Sequence, residues 1–185
     1  MKNKTVIALV GMPGSGKSIT AKYFQDKNIP ILRFGEQTDI GLKELNKELS
    51  EENERWYREK LRNELGMGAY AIKIEPKIKK VLETIDVVVL DGLYSWEEYI
   101  YLKKQFPNLV LLCIFASPKI RYNRLSQRTI RSLTLEDAIS RDHAELAKLN
   151  KGGPIAIADY TIINEENIES LHKNLDQFLH QIYKN

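Results

Sequence analysis

The residues best placed to do chemistry form one uninterrupted run, Gly11-Met12-Pro13-Gly14-Ser15-Gly16-Lys17-Ser18. Its glycines let the backbone curl so that successive N–H groups point inward at a phosphate. Lys17 follows where a lysine reaches the β- and γ-phosphates of a nucleotide, and the Ser18 hydroxyl is the expected Mg²⁺ ligand. Ile19 continues into a helix whose positive N-terminal end adds a further attraction for anions. The chemistry implied is the binding of ATP with Mg²⁺. The flanking context agrees, because the apolar run Thr5–Val10 directly precedes the loop as a strand should.

A second candidate is Asp91, at the end of Val87-Val88-Val89-Leu90-Asp91-Gly92. A carboxylate at the carboxyl end of a buried strand stands at the ligand-binding edge of an open α/β sheet. It is suited either to orient Mg²⁺ through water or to accept the proton of an attacking hydroxyl. A third feature is the series Arg121, Arg124, Arg128 and Arg131, spaced three, four and three apart. On a continuous helix these share one stripe, and four guanidinium groups on one face require solvent or an anion. Arg124 and Arg128 are the members expected to touch phosphate, with Arg141 a further candidate. Arg33, Glu36 and Arg62 surround a charged insertion and are candidates to face an acceptor substrate. His143, His172 and His180 lack metal-ligand spacing and read as surface residues.

The elements that must position these groups are legible as alternating strands and helices. Segments 5–10, 86–90, 109–115 and 160–163 have the near-continuous β-branched character of strands covered on both faces, with 29–34 a weaker fifth. Asn28 and Pro30 close the first helix. Ser95-Trp96-Glu97-Glu98 has the form of a capping box opening a helix to about Phe106. Ser117-Pro118 predicts an N-cap with proline in the first turn, and Thr134 begins another helix. The last helix is expected from about Glu166 to Tyr183. Residues 38–84 read as two or three short helices, one marked by Leu42, Leu45 and Leu49, with a restart at Ser50 and interruptions at Gly66 and Gly68. The alternation indicates a doubly wound parallel sheet in a single domain, 1–185.

With 185 residues, 43% hydrophobic and 29% charged, the chain has the composition of an ordinary globular protein. No apolar run is long enough to span a membrane, so the cytoplasm is the expected location. The single cysteine, Cys113, lies within a strand and reads as a core thiol rather than a nucleophile. A net charge of +3 conceals an asymmetry, since no Asp or Glu occurs between Glu98 and Glu136 while that segment carries seven Lys and Arg residues. Concentrated positive charge points to an anionic ligand. Aromatic residues are not interleaved with the arginines beyond Tyr122, which argues against nucleic acid as a partner.

The order of these motifs resembles the nucleoside monophosphate kinase branch of P-loop kinases, and most closely archaeal adenylate-kinase-related proteins, themselves similar to dephospho-CoA kinases. The resemblance is carried by Val10–Ser18, Leu61–Gly66, Asp91-Gly92-Leu93, Ala116–Leu125, Arg141-Asp142, Glu145-Leu146 and Ile157–Asn164. It implies a three-layer P-loop NTPase fold, a five-stranded parallel sheet of order 2-3-1-4-5, an acceptor-binding insertion at 38–84 and a short helical lid at about 126–143. It also implies that Arg62 binds an acceptor phosphate, that Asp91 is the aspartate of the family's Asp-Gly pattern, and that Ala156–Asp159 lies near the adenine. The activity implied is transfer of the γ-phosphoryl group of ATP to a small nucleotide or nucleotide-like acceptor, by a monomer or homodimer. This chain departs from the pattern at Tyr94-Ser95, where related proteins often carry arginine, and at Gly35-Glu36, where Gly-Asp is usual. Those departures motivate a competing expectation, a nucleotide-binding switch with little or no kinase activity.

Overall fold

The computed structural model describes residues 4–184. Five strands, β1 (Thr5–Val10), β2 (Ile31–Arg33), β3 (Val87–Asp91), β4 (Leu109–Phe115) and β5 (Tyr160–Ile163), form an all-parallel sheet of order β2-β3-β1-β4-β5. The helices are α1 (Lys17–Asp26), α2 (Glu36–Glu44), α3 (Glu51–Leu65), α4 (Ala69–Leu82), α5 (Trp96–Gln105), α6 (Pro118–Ser126), α7 (Leu135–Leu149), α8 (Gly152–Ala156) and α9 (Ile168–Lys184). The strand order and parallel direction agree with the expectation from the motif series.

Alternation along the strands produces two cores. Val6, Ala8, Val10, Val88, Leu90, Leu111 and Cys113 face one side, where Leu61, Ile74, Ile78 and Leu102 of α3, α4 and α5 cover them. Ile7, Leu9, Val89, Leu112 and Ile114 face the other, against Phe24 of α1 and Leu171, Leu175 and Phe178 of α9. Both faces of every central strand are therefore buried, which is why these strands are continuously apolar. Cys113 belongs to the first core, and burial pushes its thiol up from its ordinary value. It is a packing residue.

The local signals perform as their chemistry dictates at most helix starts. The Ser95 hydroxyl accepts from the Glu98 N–H, and Glu98 reaches back to the N–H groups of Ser95 and Tyr94. Ser50 caps α3 by accepting from Asn53 N, and Thr134 caps α7 by accepting from Asp137 N. Ser117 occupies the N-cap of α6, with Pro118 following, but its side chain caps nothing; instead its N–H donates to Glu165.

Three expectations need correction. Leu42, Leu45 and Leu49 do not share a helix: α2 stops at Glu44, Asn46 turns the chain with φ 51°, and Leu49 is exposed before the restart at Ser50. The strand expected at 29–34 is only the three residues of β2; Pro30 before it has no N–H to give a ladder, although its carbonyl accepts from Val89. The arginine series is not one helical stripe, because α6 ends at Ser126 and Arg128 and Arg131 lie in the loop that leads to α7, Arg131 with φ 56°. The segment expected as a short helical lid is this loop followed by α7, which runs on to Leu149.

Candidate active site

The glycine-rich run sits between β1 and α1, above the carboxyl ends of β3, β1 and β4. Gly11, Gly14 and Gly16 have φ of 142°, 80° and 110°, conformations that an L side chain adopts only under strain. Space is equally restrictive: a Cβ on Gly14 would stand 2.7 Å from the Arg121 carbonyl oxygen, and one on Gly16 would stand 2.1 Å from Asn164 Nδ2. The loop is thus held from both sides. Asn164, just past β5, donates its side-chain N–H to Ser15 O at 2.7 Å. Arg121 donates to Pro13 O at 3.0 Å.

Lys17 turns back over the loop and donates to the carbonyls of Gly11 and Met12 at 2.7 and 3.1 Å. Burial, and then the neighbouring ammonium of Lys151, pull its pKa down to about 7, with Glu145 and Asp91 opposing. The ammonium thus lacks an adequate counter-anion in this arrangement, a role that a phosphate would fill. Ser15 is buried with its hydroxyl unpartnered. Ser18 and Ile19 lie exposed in the first turn of α1, beside the loop.

Asp91 is the last residue of β3, paired in register with Leu9 of β1 and Arg33 of β2. Its carboxylate is mostly buried, with the exposed Arg33 guanidinium 3.9 Å away. The chain then turns at Gly92, with φ 109°, so that Tyr94 enters the same region. Burial first, and then the Asp91 charge, raise the Tyr94 phenol to about 12. It stays neutral, able to donate a hydrogen bond.

The structure separates the other expected residues. Arg121 is 3% exposed and paired through both terminal nitrogens with Asp142 of α7, at 3.0 and 2.5 Å. Arg124 donates to Asn164 O at 2.9 Å and so braces the chain after β5. Arg128 is exposed in the loop before α7. Arg141, on α7, pairs with Glu145 at 3.3 Å and acts on the charge of Lys17. Glu36 is engaged with Lys77 of α4 at 2.7 Å. Arg62 lies on α3 with its guanidinium 5.8 Å from the centre of the Tyr70 ring and its Nε buried without a partner.

Sequence reasoning missed Asp142, Lys151, Glu98 and the bracing role of Asn164. Arg121 and Asp142 are 21 residues apart with no periodic relation, and Lys151 carries only the signal of a lysine stranded between a helix stop at Asn150 and a glycine pair. Glu98 was visible as a cap but not as a buried carboxylate; at 1% exposure, burial raises it to about 7 against the pull of its two backbone donors.

Among the described residues no three His, Cys, Asp or Glu side chains gather to hold a metal ion. The donor set at the loop, one hydroxyl at Ser18 and one carboxylate at Asp91, fits Mg²⁺, which retains waters and takes phosphate oxygens as its other ligands. None of the described helices is long and apolar enough to cross a membrane.

Comparison with known proteins agrees with this fold. Residues 7–138 match a family model described as an AAA domain. A UPF0200 protein of Pyrococcus furiosus is 35% identical over 194 residues, covering 96% of this chain and 97% of its own. A UPF0200 protein of Methanocaldococcus jannaschii is 34% identical over 182 residues, covering 97% and 91%. In fold, the chain is similar to a shikimate kinase from Bacteroides thetaiotaomicron, with TM-score 0.59 at 16% identity over 95% of this chain and 98% of that one. It is similar also to a gluconokinase from Sinorhizobium meliloti, with TM-score 0.56 at 15% identity over 99% and 98%.

Proposed function

The chain belongs to the AAA-domain family of P-loop proteins, with a P-loop kinase-like fold, and we propose that it is an ATP-dependent phosphotransferase acting on a small nucleotide or nucleotide-like acceptor. The observation that carries this reading is the placement of Asp91 at the end of the strand next to the phosphate loop, beside Arg33 and in the field of Lys17.

The loop N–H groups, the N-terminus of α1 and Lys17 hold the donor phosphates. Ser18 and Asp91, directly or through water, would hold Mg²⁺, which would neutralise negative charge on the donor phosphates. On the acceptor side, Asp91 meets the attacking group. A hydroxyl acceptor gives its proton to Asp91 as its oxygen bonds to phosphorus and the bridge bond to the β-phosphate breaks, with the electron pair leaving on ADP. A phosphate acceptor is already ionised and needs no base. Arg33, Arg62 and Arg141 give that side a positive character suited to an anionic acceptor. Arg128, in the loop before α7, is free to close over the transferring group, and closure would exclude water.

Lys17→Ala should abolish ATP-dependent transfer while leaving the thermal transition in place. Full activity in that variant would rule the mechanism out. Tyr94, standing where related proteins often carry arginine, supports the competing reading of a nucleotide-binding switch. A screen of nucleoside monophosphates, nucleosides and dephospho-CoA separates the two: phosphorylated product establishes the kinase, whereas tight ATP binding without product from any acceptor favours the switch.

A further inference from the structure

Lys151 is the only lysine in the buried set of the described residues, at 1% exposure. Its ammonium is bonded to Glu145 and stands 4.9 Å from the centre of the Tyr94 ring. Tyr94 lies three residues beyond Asp91, and Asp91 is paired in register with the strand that enters the loop. Lys151 therefore lies on the Asp91 side of the phosphate loop. Of the charges that act on Lys17, that of Lys151 is the largest.

The surrounding elements hold it there. Arg121 ties α6 and the P-loop to Asp142, and Glu145 is one turn further along α7. Ile155 of α8, four residues after Lys151, lines the same small cavity as Gly11 and Met12. The result is a cluster of Lys17, Lys151, Arg121 and Arg141 against Asp91, Asp142 and Glu145, with one cation in excess before the inward N–H groups of the loop are counted. A buried Lys–Glu pair contributes little net stability compared with apolar residues of similar size. Its placement beside a phosphate loop, by contrast, puts a desolvated ammonium where a polyanion would strengthen it.

We propose that Lys151 is a second phosphate-binding lysine of the donor site, held by Glu145 until a nucleoside triphosphate arrives and then contacting its terminal phosphoryl group on the side facing Asp91. The assignment rests on reading the loop as a nucleotide site. It places Lys151 on the phosphate that ADP lacks, so Lys151 discriminates triphosphate from diphosphate.

The test is calorimetric titration of the full chain with ATP and with ADP, each with Mg²⁺, for the wild type, Lys151→Met, the double variant Lys151→Met/Glu145→Gln, and Lys17→Met. Lys151→Met should bind ATP about tenfold more weakly, the scale of one charged hydrogen bond, and ADP within about twofold of wild type. The double variant removes the orphaned carboxylate and keeps the protein folded if the single variant does not; it should show the same selective loss. Wild-type ATP affinity in the double variant, or equal losses for ATP and ADP, would overturn the assignment and leave Lys151 a structural residue. Lys17→Met should weaken both nucleotides. If it does while the Lys151 variants keep ATP, only the Lys151 assignment falls; if Lys17→Met binds as wild type, or the wild type binds neither nucleotide, the nucleotide-site reading falls and takes this one with it.

Discussion

Removing Arg121 distinguishes an arginine that serves a ligand from one that serves the fold. Its two terminal nitrogens grip the Asp142 carboxylate at 3.0 and 2.5 Å, with side-chain exposures of 4% and 7%. Nε donates to Ala116 O at 3.1 Å, and Nη1 also reaches Pro13 O. In Arg121→Met the Asp142 charge is left buried with the Tyr122 hydroxyl, at 2.9 Å, as its remaining donor among the described residues. Breaking a buried pair in this way costs about 3–5 kcal/mol. That is a large share of the roughly 5–15 kcal/mol by which domains are stable. At roughly 2–4 °C per kcal/mol for a chain of this size, the thermal midpoint should fall by about 6–20 °C. Urea denaturation of Arg121→Met, Asp142→Leu and the double variant completes the cycle. The double variant should recover most of the lost stability, because no orphaned charge remains. It should still bind nucleotide more weakly than wild type, since Pro13 O has lost its donor and the loop its brace. An exposed, ligand-facing arginine would cost under about 1 kcal/mol. A single variant within that margin of wild type would refute the reasoning.

Two further predictions concern Glu98 and the loop glycines. Glu98 is raised from 4.5 to about 7 in the folded chain, so the folded state retains a proton that the unfolded state has released between those values; the stability that this proton confers is complete below about pH 4.5 and is lost as pH rises through about 7, by about 3 kcal/mol. Thermal melts from pH 5 to 8 should show that decline in wild type and a flatter profile in Glu98→Gln, which keeps an oxygen for the Tyr94 and Ser95 donors; identical profiles would dismiss Glu98 as the source. Gly16→Ala adds a Cβ at φ 110° and 2.1 Å from Asn164 Nδ2, and should lose about 1–3 kcal/mol together with nucleotide binding, whereas Gly35→Ala, at φ −57° with nothing within 4 Å of the new Cβ, should melt within about 0.5 kcal/mol of wild type. Comparable melting of the two would show that the loop tolerates a side chain.

What the sequence determined by itself is everything written in local runs. Strand, loop and helix around Gly11–Ser18 follow from apolar patterning and glycine placement within 20 residues, and Asp91 declares itself by ending a β-branched run. The Ser50, Ser95 and Thr134 helix starts follow because a cap is a bond between residues three apart. Where a local signal was incomplete, reading it as a longer repeat misled. The arginine spacing suggested a continuous helix, but nothing in it registered that α6 ends at Ser126, or that Arg121 would be drawn inward by a carboxylate 21 residues away. Tertiary structure alone decided which cations face the loop. Lys151 acts on the charge of Lys17 from a position set by α7, which docks through Arg121–Asp142, and by the turn at Asn150, with φ 51°. A charge has no periodicity of its own: its partner is set by packing of distant elements, and only their arrangement in space determines whether an ammonium is solvated, paired or held ready for an anion.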